Sequence, residues 1–413
     1  KLQEMQGNVR VFAVIRPPSE LERRHHILEV LSEEEVGLQT SAGPVTEFEF
    51  DRVFPPSSAE QEVFEAVRPA CQSVVDGCDA CVFAYGQTGA GKTYTMQGHG
   101  DRKGVIALSA REIFEQIRCI SGTWSYTAKI SMVELHNETI RDLLTDRNNL
   151  EVHKRPETGE HYVAHLHEVD VHSEEEVMNQ VAHGYLHHMT PHQVPPTTAH
   201  NQAKSRFRHI VKLSMTALNA FGGSSRGNQQ PFLGSSVASS STASNHANRS
   251  TSVVTLTLHG HSTDNKTQTS IGRLHFIELA GSETIPNTGL SGEQIFENDS
   301  IRKDLSSLES VIMSLALKKY NNINYNSCRL TNMLQDSLTK KSKVFMFLAV
   351  ASTEAARSET QATLSYGTRV RQLDFGYTAS LKKGVRGSSD SIPTVRQGSP
   401  GNSGPGRRRS VMA

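Results

Sequence analysis

Gly86 to Thr93 reads GQTGAGKT, which satisfies the pattern G-x-x-x-x-G-K-[ST] in full. Residues of those types at that spacing suit the binding of a nucleoside triphosphate. Gly86, Gly89 and Gly91, with Gln87, Thr88 and Ala90 between them, let successive backbone N–H groups curl around phosphate oxygens. A helix that follows would offer its positive N-terminus to the same anion. Lys92 would neutralise the β- and γ-phosphates, and the Thr93 hydroxyl would ligate Mg²⁺. A chance glycine-rich turn is the competing reading. An apolar strand pattern, ACVFAY (Ala80 to Tyr85), runs directly into the loop and favours the nucleotide site.

Two other constellations carry less chemistry. Cys78-Asp79-Ala80-Cys81 spells C-x-x-C, but no second cysteine pair exists to complete a zinc site, so small thiols in a core are expected. His183, His187, His188 and His192 include an i, i+4 pair that could hold zinc on a helix. No H-E-x-x-H pattern accompanies them and Pro191 stops the helix, so no metal is expected there. Ser410 follows Arg407-Arg408-Arg409, a pattern that suits a basophilic kinase.

The elements that must position the loop alternate along the chain. Asn8 to Ile15 (NVRVFAVI) is an apolar, β-branched strand stopped by Pro17-Pro18. Ala59 to Val75 has helical spacing and is closed by Gly77. Tyr126 to Leu135 alternates as a strand, and a helix is predicted from Ser173, where an N-cap precedes three acids. Val253–Gly260 and Gly272–Leu279 read as neighbouring strands. A long helix with Ile301, Leu305, Leu308, Ile312 and Leu315 on one face follows them. Lys343–Ala351 is a last buried strand, and a helix near Ala362–Gln372 ends the ordered part. Strands alternating with helices, without internal repeats, predict one α/β domain. Residues 221–248 are rich in Ser, Gly and Asn and break that rhythm.

Composition narrows the classes. The 413 residues are 36% hydrophobic, enough for a core, with 43 basic and 43 acidic side chains. Zero net charge gives no general argument for nucleic acid. No apolar run approaches the length that crosses a bilayer, and no signal peptide opens the sequence, so no membrane partner is expected. Five cysteines without framework spacing fit a reducing, cytoplasmic setting. From Leu381 to Ala413, seven Lys or Arg face one acid amid Gly, Ser and Pro, which predicts a disordered basic tail over residues 377–413.

CVFAYGQTGAGKTYTMQG, longer than the general motif, resembles the phosphate loop of kinesin motor domains. The resemblance extends over most of residues 7–376. ELAGSE (Glu278 to Glu283) resembles the second switch and SMVELHNETIRDLL (Ser131 to Leu144) the central strand and turn. SCRLTNMLQDSL (Ser327 to Leu338) resembles a segment near the microtubule face, and LSYGTRVRQLDFG (Leu364 to Gly376) the last helix. The opening LQEMQGNVRVFAVIRP is similar to the neck of the C-terminal-motor class, whose members move toward microtubule minus ends. The implied fold is α/β, the P-loop NTPase kinesin motor fold, with a central mostly parallel β-sheet flanked by helices on both faces. It would span residues 8–376, after a neck remnant at 1–7 and with a Ser/Gly-rich insertion at about 190–246.

The resemblance implies ATP and ADP as ligands with Mg²⁺, bound by residues 86–93 and, around the base, by Arg16, Pro17 and Tyr94. Gly281 matches the glycine whose N–H senses the γ-phosphate, and Glu283 the glutamate that pairs with the first-switch arginine. For that arginine, Arg206 and Arg249 both compete. The first switch must feed a strand that hairpins into the one carrying ELAGSE. From Arg249 the chain length allows two strands and a turn, whereas from Arg206 it is too long, so Arg249 with Ser250 is chosen. This chain then departs from the family pattern. Ala247 and Asn248 stand where switch hydroxyls are usual, Thr251 where histidine is, Glu278 where aspartate is, and Val14 where the first base-pocket arginine is.

Microtubules are the implied partner, met by Lys154, Arg155, Lys303, Lys318, Lys319 and Arg329 against the acidic tubulin surface. The expectation is a microtubule-stimulated ATPase on the cytoplasmic microtubule cytoskeleton, the spindle included, dimeric through a stalk upstream of Lys1. The rivals are a catalytically weakened nucleotide-binding microtubule tether, which the altered switches favour, and an unrelated P-loop kinase.

Overall fold

Along Val9–Ile15 (β1), Val9, Val11, Ala13 and Ile15 enter one hydrophobic cluster while Phe12 enters another. That is the two-residue period of a strand buried on both faces. Ala80–Tyr85 (β3) divides the same way, with Cys81 and Phe83 on one side and Ala80, Val82 and Ala84 on the other. The computed structural model describes residues 9–18, 26–39, 44–188, 247–264, 268–285 and 288–374. In it both strands belong to a nine-stranded sheet.

Its other strands are Arg52–Phe54 (β2), Trp124–His136 (β4), Thr139–Asp142 (β5), Val169–Val171 (β6), Thr251–Ser262 (β7), Thr269–Glu278 (β8) and Lys343–Val350 (β9). The order is β5-β4-β7-β8-β3-β9-β1-β2, with β6 paired to β4. Around β3 the pairing is parallel, to β8 on one side and β9 on the other, and β9–β1 and β1–β2 are parallel too. The far half, from β8 through β7 and β4 to β5 and β6, is antiparallel. The loop that leaves β3 therefore emerges at the carboxyl ends of three adjacent parallel strands, where open α/β sheets place their ligands.

Helices cover both faces. Glu60–Glu65 (α1), Arg68–Val75 (α2), Val105–Cys119 (α4) and Glu174–His188 (α5) bury Phe64, Val74, Ile113 and Val181 in one cluster. Gly292–Ala316 (α6), Arg329–Met333 (α7) and Arg357–Asp374 (α8) bury Leu308, Leu330 and Leu364 in the other. The short helix Lys92–Gln97 (α3) follows the glycine-rich loop.

Some details differ from the sequence reading and one completes it. The helix expected over Ala59–Val75 is two, because Pro69 sits in the first turn of α2. Its ring would clash with the carbonyl four residues back and it has no N–H to continue the ladder. Helix α6 starts at Gly292, fixed by a capping box in which Ser291 and Gln294 satisfy each other's backbone N–H. Within α6, Leu308, Val311, Ile312 and Leu315 are buried, whereas Ile301 and Leu305 are only half-buried. The neck remnant, the insertion, Arg206, His192 and the basic tail all lie outside the described residues. Among the described residues no helix is long and apolar enough to cross a membrane.

Helix α2 rests so closely on β8 that a Cβ on Gly272 would overlap the Val74 carbonyl group. Backbone cannot yield as a flexible side chain does. Gly272→Ala should cost about 1–3 kcal/mol of stability, the usual range for overpacking. Urea denaturation would show it as a lower midpoint, and an unchanged midpoint would contradict the close helix–sheet contact.

Candidate nucleotide site

The loop leaving β3 turns back over β9. Gly86 has φ +145°, and a Cβ there would overlap the carbonyl oxygen of Ala349. Gly89 and Gly91 also take positive φ, the conformation that directs successive N–H groups into one concavity. Lys92 opens α3 with its side chain buried, and Nζ donates to the carbonyls of Gly86 (2.9 Å) and Gln87 (3.1 Å). Burial pulls its pKa below the ordinary 10.5, against the upward pull of Glu278 and Glu283.

Both of those carboxylates come from the segment that ends β8. Glu283 takes two hydrogen bonds from Thr88, one from the backbone N–H (2.9 Å) and one from the hydroxyl (2.6 Å). Glu278 accepts the Thr93 hydroxyl on Oε1 and the Tyr185 hydroxyl, 3.0 Å away, on Oε2. Between them, the backbone N–H of Ser282 donates to the Gly86 carbonyl (3.1 Å). The N–H of Gly281 donates to the Asn248 carbonyl (2.9 Å), and that of Ala280 to the Thr251 hydroxyl (3.2 Å). A Cβ on Gly281 would collide with the Glu283 carboxylate, so only glycine leaves that group where it is.

Arg249 stands one residue before Ser250 and two before β7, and β7 does hairpin into β8. The expected Arg249–Glu283 ion pair is not made. Arg249 instead bonds Glu297 and Asn298 on α6, and Glu297 also takes His136 Nε2 at 2.8 Å. Burial opposes ionisation of Glu297, yet the hydrogen bonds from His136 and Arg249 outweigh it and hold its carboxyl below the usual range. Arg249 and Glu283 nevertheless line one cavity of about 380 Å³, beneath which Ile301 and Leu305 lie. Ser250 is buried with its hydroxyl 2.9 Å from His188 Nε2.

On the other side of the loop, Arg16, Pro17, Ala90, Gly91 and Tyr94 line an open groove of about 620 Å³. Sequence reading missed Arg102, which stands in the short hairpin Gly98–Lys103, lines the same groove, donates to the Tyr94 hydroxyl (3.0 Å) and pairs with Glu60 (3.2 Å). It also missed Tyr185, which no motif marks, and noted Thr251 only as standing where the family pattern has histidine.

The basic residues picked out for a partner surface are exposed. Lys154 and Arg155 stand on the hairpin formed by Val152–Lys154 and His161–Val163, where Arg155 lies over the Tyr162 ring. That hairpin packs on α7, which begins with Arg329, and α7 packs on α6. Lys303 on α6 pairs with Glu138, while Lys318 and Lys319 follow the helix's end. Of the cysteine pair, Cys81 is buried in β3 and Cys78 half-buried before it, both as free thiols. Among the described residues no cluster of His, Cys, Asp or Glu could hold a metal by itself, and His187 Nδ1 lies 2.7 Å from the Leu143 carbonyl.

A family model described as the kinesin motor domain matches residues 15–231 and 232–373. The chain belongs to the kinesin motor-domain family. It is 32% identical over 383 residues to the kinesin-like protein KIN-14R of Arabidopsis thaliana, covering 91% of this chain and 31% of that one. With the kinesin-like protein klp-3 of Caenorhabditis elegans it shares 29% identity over 389 residues, 93% of this chain and 56% of that one. Among solved structures, the C-terminal motor and motor homology domain of Kar3Vik1, fused to a synthetic heterodimeric coiled coil, superposes with a TM-score of 0.69. Identity there is 27%, over 89% of this chain and 86% of that one. The motor domain of the Kar3-like kinesin from Ashbya gossypii gives 0.66 at 28% identity, over 88% and 100%. This kinesin chain spans about a third of the length of the KIN-14R and KIN-14Q relatives, so it corresponds to one part of them.

The buried Lys92 makes a pH-dependent expectation for this kinesin domain. Phosphate beside Nζ would hold the amine charged, while in the free protein burial favours its loss of a proton below the ordinary 10.5. Between the two pKa values, binding must take up a proton, so ADP affinity falls as pH rises. Calorimetric titration with ADP in two buffers of different ionisation enthalpy should show a heat difference that grows through the alkaline range. A difference that stays flat with pH would contradict it.

Proposed function

We propose that this kinesin motor domain binds ATP and ADP with Mg²⁺ at Gly86–Thr93 and couples ATP hydrolysis to movement along microtubules, toward their minus ends. The observation that carries the reading is the double link between loop and switch segment, Thr93 to Glu278 and Thr88 to Glu283. A change on the phosphates would load the segment that leads into α6 through these contacts. Arg16, Pro17 and Tyr94 would take the base, and the N–H groups of the loop the phosphates.

The contact of the Thr93 hydroxyl with the Glu278 carboxylate supplies two hard oxygen donors side by side, the donor type that Mg²⁺ takes. Bound there, Mg²⁺ would neutralise charge on the β- and γ-phosphates. Lys92 Nζ would exchange its carbonyl acceptors for phosphate oxygens. The Gly281 N–H would exchange the Asn248 carbonyl for the γ-phosphate. A water between the segments carrying Asn248 and Gly281 would attack the γ-phosphorus as the bond to the oxygen bridging the β- and γ-phosphates breaks, its proton passing to the released phosphate, to leave ADP and phosphate. Arg249 would alternate between Glu297 with Asn298 and Glu283 across their shared cavity, which passes the event to α6. Lys154, Arg155, Lys303, Lys318, Lys319 and Arg329 would meet acidic tubulin on the surface formed by α6, α7 and the neighbouring hairpin. Action on cytoplasmic and spindle microtubules, as a dimer joined by a coiled coil, completes the reading. A neighbour that pairs the C-terminal motor and the motor homology domain of Kar3Vik1, fused to a synthetic heterodimeric coiled coil, supports the pairing of two chains.

Steady-state ATPase measurements with and without microtubules, beside pelleting in ATP and in ADP, test it. The expected result is strong stimulation with weaker pelleting in ADP. Pelleting without stimulated turnover would overturn motor activity and leave a tether. Arg249→Ala should keep ADP binding and lose the nucleotide dependence of pelleting.

A further inference from the structure

Tyr185 projects from α5, outside every nucleotide motif. Its side chain is buried, with the ring edge-on to His188 at 5.4 Å. The hydroxyl lies 3.0 Å from Glu278 Oε2 and 3.1 Å from the hydroxyl of Ser252. Ser252 is the residue of β7 directly opposite Glu278 on β8. An ionised carboxylate only accepts, so Tyr185 must donate to Glu278 and Ser252 then donates to Tyr185. The Glu278 carboxylate is thus held at both ends, by Tyr185 on Oε2 and by Thr93 on Oε1.

That arrangement answers a problem set by the residue itself. Glutamate has one more rotatable bond than aspartate and loses more freedom when fixed. A carboxylate anchored on one oxygen by a buried, charge-assisted hydrogen bond has few orientations left. We propose that Tyr185 is a positioning residue for the metal-side carboxylate: by holding Oε2 it keeps Oε1 on the Thr93 hydroxyl. The glutamate is thereby fitted to a place where its extra methylene would let the carboxylate swing away. The inference rests on the reading of Gly86–Thr93 as a Mg²⁺–nucleotide site.

The test is the apparent Mg²⁺ dissociation constant of the ADP complex, read by retention of a fluorescent ADP analogue across a Mg²⁺ titration. Tyr185→Phe keeps the ring and should weaken Mg²⁺ binding about tenfold, the scale of a lost hydrogen bond to a charged group. Glu278→Asp, too short to reach both anchors, should weaken it similarly, and adding Tyr185→Phe to it should change the constant by less than about twofold. Ser252→Ala removes the tyrosine's contact with β7 but leaves its hydroxyl free to donate to Glu278, and should leave the constant within about twofold of wild type. Melting of each variant without nucleotide separates loss of fold from loss of positioning. If Tyr185→Phe does not fold, Glu278→Asp decides, and an aspartate that binds Mg²⁺ as tightly as wild type overturns the proposal. An unchanged constant in Tyr185→Phe, equal losses in both backgrounds, or an equal loss in Ser252→Ala also overturns it. If the wild-type chain holds ADP with no Mg²⁺ dependence, the site reading itself falls and takes this inference with it.

Discussion

A half-buried carboxylate beside a glycine-rich loop must find donors, and Glu283 finds two of them on Thr88. Much of the surrounding structure serves that contact. Gly281 has no side chain because the carboxylate occupies the space where one would be. The Ser282 N–H reaches Gly86, so the loop and the segment after β8 are stitched by backbone as well as by side chain. The parallel pairing of β8 with β3 starts both segments from adjacent strand ends, which makes so short a connection feasible. Farther along, the capping box at Ser291 fixes where α6 begins, and through it the height at which Glu297 meets Arg249.

The opposite end of the assembly is governed by where Arg249 finds its partners. A guanidinium bonded to Glu297 and Asn298 is tied to the first turns of α6, and His136 on the same carboxylate ties that helix to β4. Lys303, farther along α6, reaches Glu138 in the turn after β4. The helix is therefore joined to the central sheet by charged contacts near its start and by apolar packing of Leu308, Ile312 and Leu315 beyond. A charged contact can exchange one partner for another of the same kind, whereas packed leucines hold one fixed arrangement. A helix held in this mixed way is fixed at one end and adjustable at the other.

Six of the nine sheet strands were legible because they are apolar runs with their period written in the side chains, and ACVFAY matches β3 residue for residue. Strands β2, β5 and β6, three or four residues each, carry too short a pattern to be read. The phosphate loop was legible because glycine spacing and a Lys-Thr pair encode a backbone shape directly. Hairpin length sufficed to seat Arg249 ahead of β7. What escaped reading depends on contacts between distant segments. Nothing near Tyr185 in sequence mentions Glu278, and nothing near Arg102 mentions the Arg16–Pro17 groove. The partner of Arg249 was misjudged for a related reason. A charge pair inferred from two motifs ignores the competing acid, Glu297, that a helix without a motif brings to the same place. The break at Pro69, by contrast, was written in the sequence and underweighted there.

The anchoring of α5 to the start of β7 has an evolutionary side. His188 meets Ser250, 62 positions away in sequence, at 2.9 Å and Tyr185 meets Ser252 at 3.1 Å, so the end of α5 and the start of β7 are already tied together. Closing a loop whose ends are fixed by other contacts adds only about 0.6 kcal/mol for each doubling of its length. Lengthening the chain between those two anchors is therefore nearly free for the fold. That makes the junction a place where related chains can gain or lose sequence, while the sheet and the loop it presents stay as they are.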